Sequence, residues 1–167
     1  MTFRVVFVCM GNICRSPTAE VVFRKLVTDA GLADRVEIAS AGTGGWHVGN
    51  GADRRSLAAL RERGYDGSGH RARQFERDWF DRYDLVVAMD RENERDLRRL
   101  AAGLPGAAEK IRLLRSYDGT PAGDAGVAEL DVPDPYYGEG DGFARVLDMV
   151  ESACAALLAE VRRNVAA

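Results

Sequence analysis

The sequence predicts an α/β fold: a single domain built as a three-layer, doubly wound sandwich around a four-stranded parallel sheet. Short apolar segments typical of strands alternate with longer segments of helical periodicity, which is the pattern of a parallel sheet covered on both faces. A chain of 167 residues, 46% of them apolar, is long enough to bury one hydrophobic core. We therefore expect residues 1–167 to form one domain.

The first predicted strand, Phe3–Cys9, is followed closely by a predicted helix. Its continuous apolar and β-branched residues are typical of a strand buried on both faces. Ser16 is a common N-cap residue and Pro17 suits the first helical position, so a helix is predicted to begin there. Gly31 is a plausible end for that helix. The sequence thus begins with a strand, a short loop and a helix.

Three more strands are predicted at residues 36–41, 85–89 and 111–114. The helices after the second and third strands have Asp53 and Asp90 as expected N-caps. Apolar residues spaced three and four apart predict a last helix with one face on the core: Phe143, Val146, Leu147, Val150, Cys154, Leu157, Leu158 and Val161.

Composition and charge indicate which classes of binding partner and which cellular location to expect. The chain has 23 basic and 26 acidic residues, a net charge of −3, which argues against a nucleic acid or a membrane surface as the main partner. Three cysteines predict no disulfide framework and favour a cytoplasmic protein. No segment approaches membrane-spanning length, although unconventional export would leave no signal in the sequence. With two histidines and no Cys/His cluster, we predict neither metal nor cofactor, and we expect a monomer.

The loop after the first strand is the strongest candidate for a functional site. Cys9 lies at the carboxyl end of a predicted parallel strand, where such sheets bind ligands. By itself it would be read as a small buried apolar residue. Gly11 permits unusual backbone angles, Asn12 tolerates the left-handed conformation, and Arg15 offers a planar fork for two phosphate oxygens. With the N-terminus of the next helix, this predicts an anion cradle that also stabilises the Cys9 thiolate.

Five segments, taken together, resemble the low-molecular-weight protein tyrosine phosphatases: "VCMGNICRSPTAE", "SAGTGGWHVGNGAD", "GHRARQF", "VVAMD" and "DVPDPYYG". The likeness spans nearly the whole chain, in order. It implies hydrolysis of phosphotyrosine proteins and aryl phosphate monoesters through a cysteinyl-phosphate, with Cys9 as nucleophile and Arg15 as phosphate and transition-state clamp.

A tyrosine leaving group needs a proton, because its phenol has a pKa of about 10. The loop over residues 116–133 and the "DVPDPYYG" that overlaps it provide Asp131 and Asp134 as candidate acids, and turn chemistry alone would also explain both. Asp134 precedes Pro135, which favours an extended conformation. The resemblance assigns the general acid and base to Asp134, with Asp131 as the alternative.

The resemblance also implies the lining of the substrate pocket. The phosphate would be bound by the loop residues Met10, Gly11, Asn12, Ile13, Cys14 and Ser16. Tyr136 and Tyr137 would flank the pocket and could be phosphorylated themselves, with Tyr136 stacking on the substrate ring, unless both are ordinary surface aromatics. Trp46 would form the opposite wall, unless it is a half-buried packing residue. Related phosphoarginine phosphatases have threonine in place of Ile13, so isoleucine favours phosphotyrosine.

A second layer of polar residues is implied behind the loop. Asn12, Ser16, Ser40 and His70 match positions that hydrogen-bond the loop into shape, and Ser16 would also donate to the thiolate. His70 is not expected to act as the base. The resemblance further implies that Cys14 can trap oxidised Cys9 as a reversible disulfide, unless Cys14 is only a packing residue of the loop.

Three other functions stay open at this point. A thiol-linked arsenate reductase shares the loop but needs resolving cysteines further along, and residues 65–153 contain none. A catalytically inactive phosphotyrosine-binding module would be suggested by the loss of Cys9, Arg15 or Asp134, all of which are present. A phosphotransferase would use the same covalent intermediate with an alcohol in place of water.

Overall fold

The computed structural model describes residues 2–118, 130–136, 138 and 141–166. Four parallel strands form one sheet in the order β2-β1-β3-β4: β1 is Phe3–Cys9, β2 is Val36–Gly42, β3 is Leu85–Ala88 and β4 is Ile111–Leu113. The predicted α/β class and four-stranded parallel sheet are confirmed. One domain over residues 1–167 stays a prediction.

In the described part of the chain, four α-helices accompany the sheet: α1 is Arg15–Asp29, α2 is Arg54–Glu62, α3 is Arg91–Ala101 and α4 is Gly142–Ala166. Short 3₁₀ helices occupy Arg77–Asp81, Ala108–Lys110 and Leu114–Tyr117. Alternate side chains of β1 enter two separate apolar clusters, one packed under α1 and α4 and the other under α3. This alternation produces the three layers, because successive side chains of a strand point to opposite faces.

The helix starts agree with the sequence at two positions and differ at one. Asp53 caps α2 by accepting a hydrogen bond from the Arg55 N–H, and Asp90 caps α3 by accepting one from Asn93. The predicted cap at Ser16 is wrong: α1 begins at Arg15, and Cys14, its N-cap, makes no side-chain cap. Ser16 is fully buried inside the first turn of α1. Its hydroxyl oxygen lies 3.0 Å from the sulfur of Cys9, the first residue of the loop from Cys9 to Arg15, which we call the cysteine loop.

The predicted face of α4 is buried along its length, with Leu158 only partly buried. Cys154 is fully buried in this cluster, in agreement with its interpretation as a core residue.

The strand order brings three chain segments together at one edge of the sheet. β1 lies between β2 and β3, with Cys9 in register with Gly42 and Val8 in register with Ala88. Just beyond the strands, the Met89 N–H donates to the Val8 carbonyl at 3.0 Å, and the Val132 N–H donates to the Met89 carbonyl at 2.8 Å. The segment that contains Asp131 and Asp134 therefore lies beside the cysteine loop, although more than 100 residues separate them in sequence.

Candidate active site

The loop from Cys9 to Arg15 folds back over the Cys9 sulfur. Cys9 is only 2% exposed, and the Asn12 N–H points at its Sγ from 3.3 Å. Asn12 has a φ of 57°, a left-handed conformation that asparagine tolerates better than most residues. Gly11 is not among the residues with positive φ, so the unusual backbone angles expected there are found at Asn12 instead.

Gly11 leaves space for a neighbouring ring. A Cβ at this position would lie 3.0 Å from Cδ2 of His47, which is closer than most real Cβ contacts. The absence of a side chain at Gly11 lets the His47 ring approach the loop.

The Asn12 side chain is oriented by three hydrogen bonds. Its Oδ1 accepts from the Arg73 backbone N–H at 2.8 Å, so its Nδ2 is the donor group. That amide donates to Ser16 Oγ at 2.7 Å and to Ser40 Oγ at 3.0 Å. Both acceptor hydroxyls are therefore free to direct their own protons elsewhere.

Those two protons have different destinations. Ser40 donates to Glu20 Oε1 at 2.6 Å. Ser16 Oγ already accepts from Asn12, and two acceptors lie within reach of its proton: Cys9 Sγ at 3.0 Å and the Ala41 carbonyl oxygen at 3.4 Å. The network thus places two donors, the Ser16 hydroxyl and the Asn12 N–H, within hydrogen-bond distance of Cys9 Sγ.

His70 supports the loop from outside. Its Nε2 lies 2.6 Å from the Asn12 carbonyl oxygen, so the neutral ring donates from Nε2. Burial lowers the pKa of His70 despite this hydrogen bond, which keeps the ring neutral near pH 7. The contact buttresses the backbone of the loop, and His70 is not among the residues that line the pocket.

Arg15 is buried beneath the loop, 2% exposed. Its Nη1 donates to Asp90 Oδ2 at 2.5 Å and to the Val132 carbonyl at 3.0 Å, and its Nη2 lies 3.6 Å from Asp134 Oδ2. Burial opposes the charge, but Cys9, Asp90 and Asp134 together raise the pKa of Arg15 above its usual value. The guanidinium is therefore fixed in one orientation and permanently charged.

The two candidate aspartates have different surroundings. Asp131 accepts a hydrogen bond from the Arg91 N–H at 3.0 Å and lies beside the Arg91 side chain. Its carboxylate therefore contacts the first residue of α3. Asp134 lines the same pocket as Cys9, with its side chain 29% exposed. Its Oδ1 accepts from the Tyr136 N–H at 3.0 Å, which leaves Oδ2 on the pocket side near Arg15.

The pocket above the sulfur has a volume of about 330 Å³. Among the described residues, ten line it: Cys9, Met10, Gly11, Ile13, Cys14, Arg15, Trp46, His47, Asp134 and Tyr136. Trp46 is 74% exposed, so the alternative of a half-buried packing residue is wrong and the ring stands at the rim. Tyr137 lies outside the described residues.

Two features of the site were missed from the sequence. His47 lines the pocket and its ring centroid lies 6.1 Å from that of Tyr136; its position next to Trp46 in the glycine-rich segment was the available signal. Asp90 was predicted only as a helix cap, yet the same carboxylate also binds Arg15. Its place just after β3, at the edge of the sheet that carries Cys9, could have suggested this.

The second cysteine of the loop differs chemically from the first. Cys14 is buried, and burial, followed by the nearby Asp53 carboxylate, raises its pKa to about 12. Cys9, Cys14 and Cys154 are all free thiols in the structure. Cys14 therefore stays protonated at neutral pH and does not compete with Cys9 as a nucleophile.

Within residues 2–118, 130–136, 138 and 141–166, no group of three or more His, Cys, Asp or Glu side chains is arranged to hold a metal ion. In the same part of the chain, no helix is long and apolar enough to cross a membrane.

Known proteins are similar to this chain in both sequence and fold. The family described as "Low molecular weight phosphotyrosine protein phosphatase" matches residues 4–167. A low molecular weight protein-tyrosine-phosphatase of Streptomyces coelicolor is 60% identical over 165 residues, covering 99% of this chain and 97% of the relative.

Two solved structures extend the comparison. A protein tyrosine phosphatase from Entamoeba histolytica, with Hepes in its active site, superposes with a TM-score of 0.86 at 32% identity, covering 98% of this chain and 99% of that one. A Drosophila arginine phosphatase superposes with a TM-score of 0.83 at 32% identity, covering 94% and 96%. With a family match over nearly its whole length, the chain belongs to the low molecular weight phosphotyrosine protein phosphatase family.

Proposed function

We propose that this protein tyrosine phosphatase hydrolyses phosphotyrosine in proteins, and aryl phosphate monoesters, by forming a cysteinyl-phosphate on Cys9. Family membership establishes the reaction class. The roles of individual residues are proposed from the geometry. The observation that carries them is that Cys9, Arg15 and Asp134 line one pocket, with Arg15 Nη2 3.6 Å from Asp134 Oδ2.

Substrate binding uses the loop and the rim. The phosphate dianion would be held by backbone N–H groups of Met10, Gly11, Asn12, Ile13 and Cys14, by the N-terminal turn of α1 around Ser16, and by the fork of Arg15. The phenyl ring would lie between Trp46 and Tyr136, with the apolar Ile13 side chain beside it. An apolar slot of this kind favours an aryl group over a charged guanidinium, which supports phosphotyrosine rather than phosphoarginine as substrate.

In the first step, the Cys9 thiolate forms a bond to phosphorus as the bond from phosphorus to the tyrosine oxygen breaks. Asp134 gives its proton to that oxygen, so that neutral tyrosine leaves. Arg15 and the loop N–H groups stabilise the charge on the equatorial oxygens, as electrostatic preorganisation requires. Because these donors are fixed by buried partners, little reorganisation accompanies the reaction.

In the second step, water attacks the cysteinyl-phosphate. Asp134, now ionised, accepts a proton from that water, and the sulfur–phosphorus bond breaks to release inorganic phosphate. The Ser16 hydroxyl, 3.0 Å from Cys9 Sγ, stabilises the departing thiolate. The cycle thus returns Asp134 to its protonated form and Cys9 to its thiolate, ready for the next turnover.

Several further features belong to the same proposal. Ser40 and His70 hold the loop in shape, through Asn12. Cys14 traps oxidised Cys9, a step that its raised pKa makes slow, since the thiolate is the attacking species. We further propose a cytoplasmic monomer that needs no nucleic acid, membrane or cofactor.

The test is hydrolysis of p-nitrophenyl phosphate near pH 6 in the presence of a chelator, with the native chain compared to Cys9→Ser. We expect metal-independent turnover by the native protein and none by the variant. Cys154→Ala serves as the matched control, because Cys154 is a buried thiol of the core and is not among the residues that line the pocket. Absence of turnover by folded, reduced native protein would contradict the proposal and favour a catalytically inactive phosphotyrosine-binding module. Turnover by Cys9→Ser would contradict the assignment of Cys9 as nucleophile.

A further inference from the structure

Arg55, at the start of α2, contacts the segment that carries Asp134. Its Nη2 donates to the Tyr136 backbone carbonyl at 3.0 Å, across 81 residues of sequence. The guanidinium carbon lies 5.6 Å from the centroid of the Tyr136 ring and 4.6 Å from that of Phe143, the second residue of α4. One side chain thus connects α2, the acid-bearing segment and α4.

Arg55 is itself held by Asp53. Its Nε and Nη2 donate to the two carboxylate oxygens of Asp53, each at 3.1 Å. Burial of Asp53 works against its charge, but the hydrogen bonds from Arg55 lower the pKa of Asp53 below its usual value, so the pair is ionised at neutral pH. A planar, two-point contact of this kind fixes the guanidinium in direction as well as in distance.

The same pair is attached to the cysteine loop. The Asp53 backbone N–H donates to the Ile13 carbonyl at 2.7 Å, and Ile13 lines the pocket. This hydrogen bond fixes the position of Arg55 relative to the loop proposed to hold the phosphate. Because Arg55 contacts Tyr136, it also fixes the position of Tyr136 relative to that loop.

Tyr136 in turn contacts the Asp134 carboxylate. Its carbonyl accepts from Arg55 while its N–H donates to Asp134 Oδ1. With Oδ1 occupied in this way, Oδ2 is the oxygen near Arg15 and the pocket. A shift of Tyr136 would move Asp134 relative to the leaving oxygen, and small misplacements of a catalytic group are costly.

We propose that Arg55 is a positioning residue for the general acid: held by Asp53, it fixes Tyr136 and thereby places Asp134 over the phosphate pocket. The inference rests on the proposed function, since it assigns Arg55 a part in protonating the leaving group. It does not assign Arg55 any contact with the phosphate. Loss of Arg55 therefore weakens leaving-group protonation and spares phosphate binding.

The test is a double-mutant cycle of Arg55→Met and Asp134→Asn. The readout is kcat/KM for phenyl phosphate, whose leaving group needs a proton, and for 2,4-dinitrophenyl phosphate, whose leaving group does not. We expect Arg55→Met to lower kcat/KM for phenyl phosphate on the order of tenfold, with little effect on the dinitrophenyl ester. In the Asp134→Asn background, where there is no acid left to position, the same substitution should have almost no effect.

Two controls separate this role from general damage. Arg54→Met changes the exposed neighbouring arginine at the start of the same helix and should leave both substrates unaffected. Inhibition by inorganic phosphate should be equally strong in Arg55→Met and native protein. Arg55→Lys, which retains the cation but not the two-point contact with Asp53, should retain part of the phenyl phosphate activity.

Four results would each overturn the inference. In Arg55→Met, kcat/KM could fall equally for the two esters, or not fall at all, or inhibition by phosphate could weaken. In the Asp134→Asn background, the fall in kcat/KM could be as large as in the native background. Because the Arg55 side chain is 46% exposed, we expect the variant to fold, and its melting temperature would verify this. If the native protein turns over through Cys9 and Arg55→Met behaves like the native protein, this inference alone fails. If the native protein does not turn over, the proposed function itself fails.

Discussion

The nucleophile side and the acid side of the pocket are held in different ways. Asn12, Ser16 and Ser40 are fully buried and are joined to one another by hydrogen bonds. The Asp134 side chain is 29% exposed and Tyr136 is 37% exposed, and both are contacted by charged side chains.

The difference has a physical consequence. Buried and satisfied hydrogen bonds are costly to break, so they define a single geometry for the phosphate cradle. Ion pairs near the surface are weaker and are screened by salt, so they allow the acid segment some adjustment. We infer that the phosphate cradle has its final geometry before substrate binds. The general acid, Asp134, is instead aligned by contacts such as that of Arg55.

The largest expected effect distinguishes the two aspartates on the acid side. Asp134→Asn should lower kcat/KM for phenyl phosphate by about 100-fold or more, because the leaving group loses its proton donor. Asp131→Asn should leave catalysis nearly unchanged, because Asp131 accepts from the Arg91 N–H at the start of α3. Steady-state kinetics of both variants on one substrate makes the comparison, and the opposite ranking would assign the acid to Asp131.

The next prediction contrasts a buried support with an exposed wall. Ser40→Ala removes a partner of both Asn12 and Glu20, so the free energy of unfolding should fall by about 1–3 kcal/mol. Trp46→Ala, at a 74% exposed position, should change stability by less than about 0.5 kcal/mol. It should instead raise KM for aryl phosphates roughly two- to tenfold, through lost ring stacking.

Denaturant unfolding and steady-state kinetics on these two variants provide the measurement. If Trp46→Ala were the less stable variant, or if Ser40→Ala left stability unchanged, the contrast between a buried cradle and an exposed rim would be wrong.

The smallest effect concerns pH and the cradle. Burial lowers the pKa of His70 below its ordinary 6.5, so below that pH the unfolded chain binds a proton that the folded protein does not. Stability should therefore fall as pH drops below 6.5, by at most about 1.4 kcal/mol per pH unit from this residue. His70→Asn should reduce that slope in unfolding experiments between pH 7.5 and 5. An unchanged slope would show that His70 does not contribute.

Much of this arrangement could be predicted because it is continuous in sequence. The strand Phe3–Cys9 and the loop to Arg15 are adjacent in the chain, so local patterns describe both the fold and the anion cradle. Ser16 was misassigned as a cap because a serine before proline is typical of a helix start. The competing use of its hydroxyl, at the Cys9 sulfur, depends on Asn12 and Ser40 and is not local.

The remaining features depend on contacts between distant segments. Asp90 and Arg15 are 75 residues apart and Arg55 and Tyr136 are 81 apart, and no spacing rule predicts such pairs. His47 reaches the cradle because the residue opposite it is Gly11, a relation that only the folded chain reveals.

The most direct test of the account is to identify the phosphorylated residue in the intermediate. The native protein would be mixed with a large excess of p-nitrophenyl phosphate, denatured within milliseconds and analysed by fragmentation mass spectrometry. We expect one phosphoryl group on the Cys9 sulfur, formed and lost during turnover and absent from Cys9→Ser. A phosphoryl group on Cys14, or turnover by the Cys9→Ser protein, would contradict it.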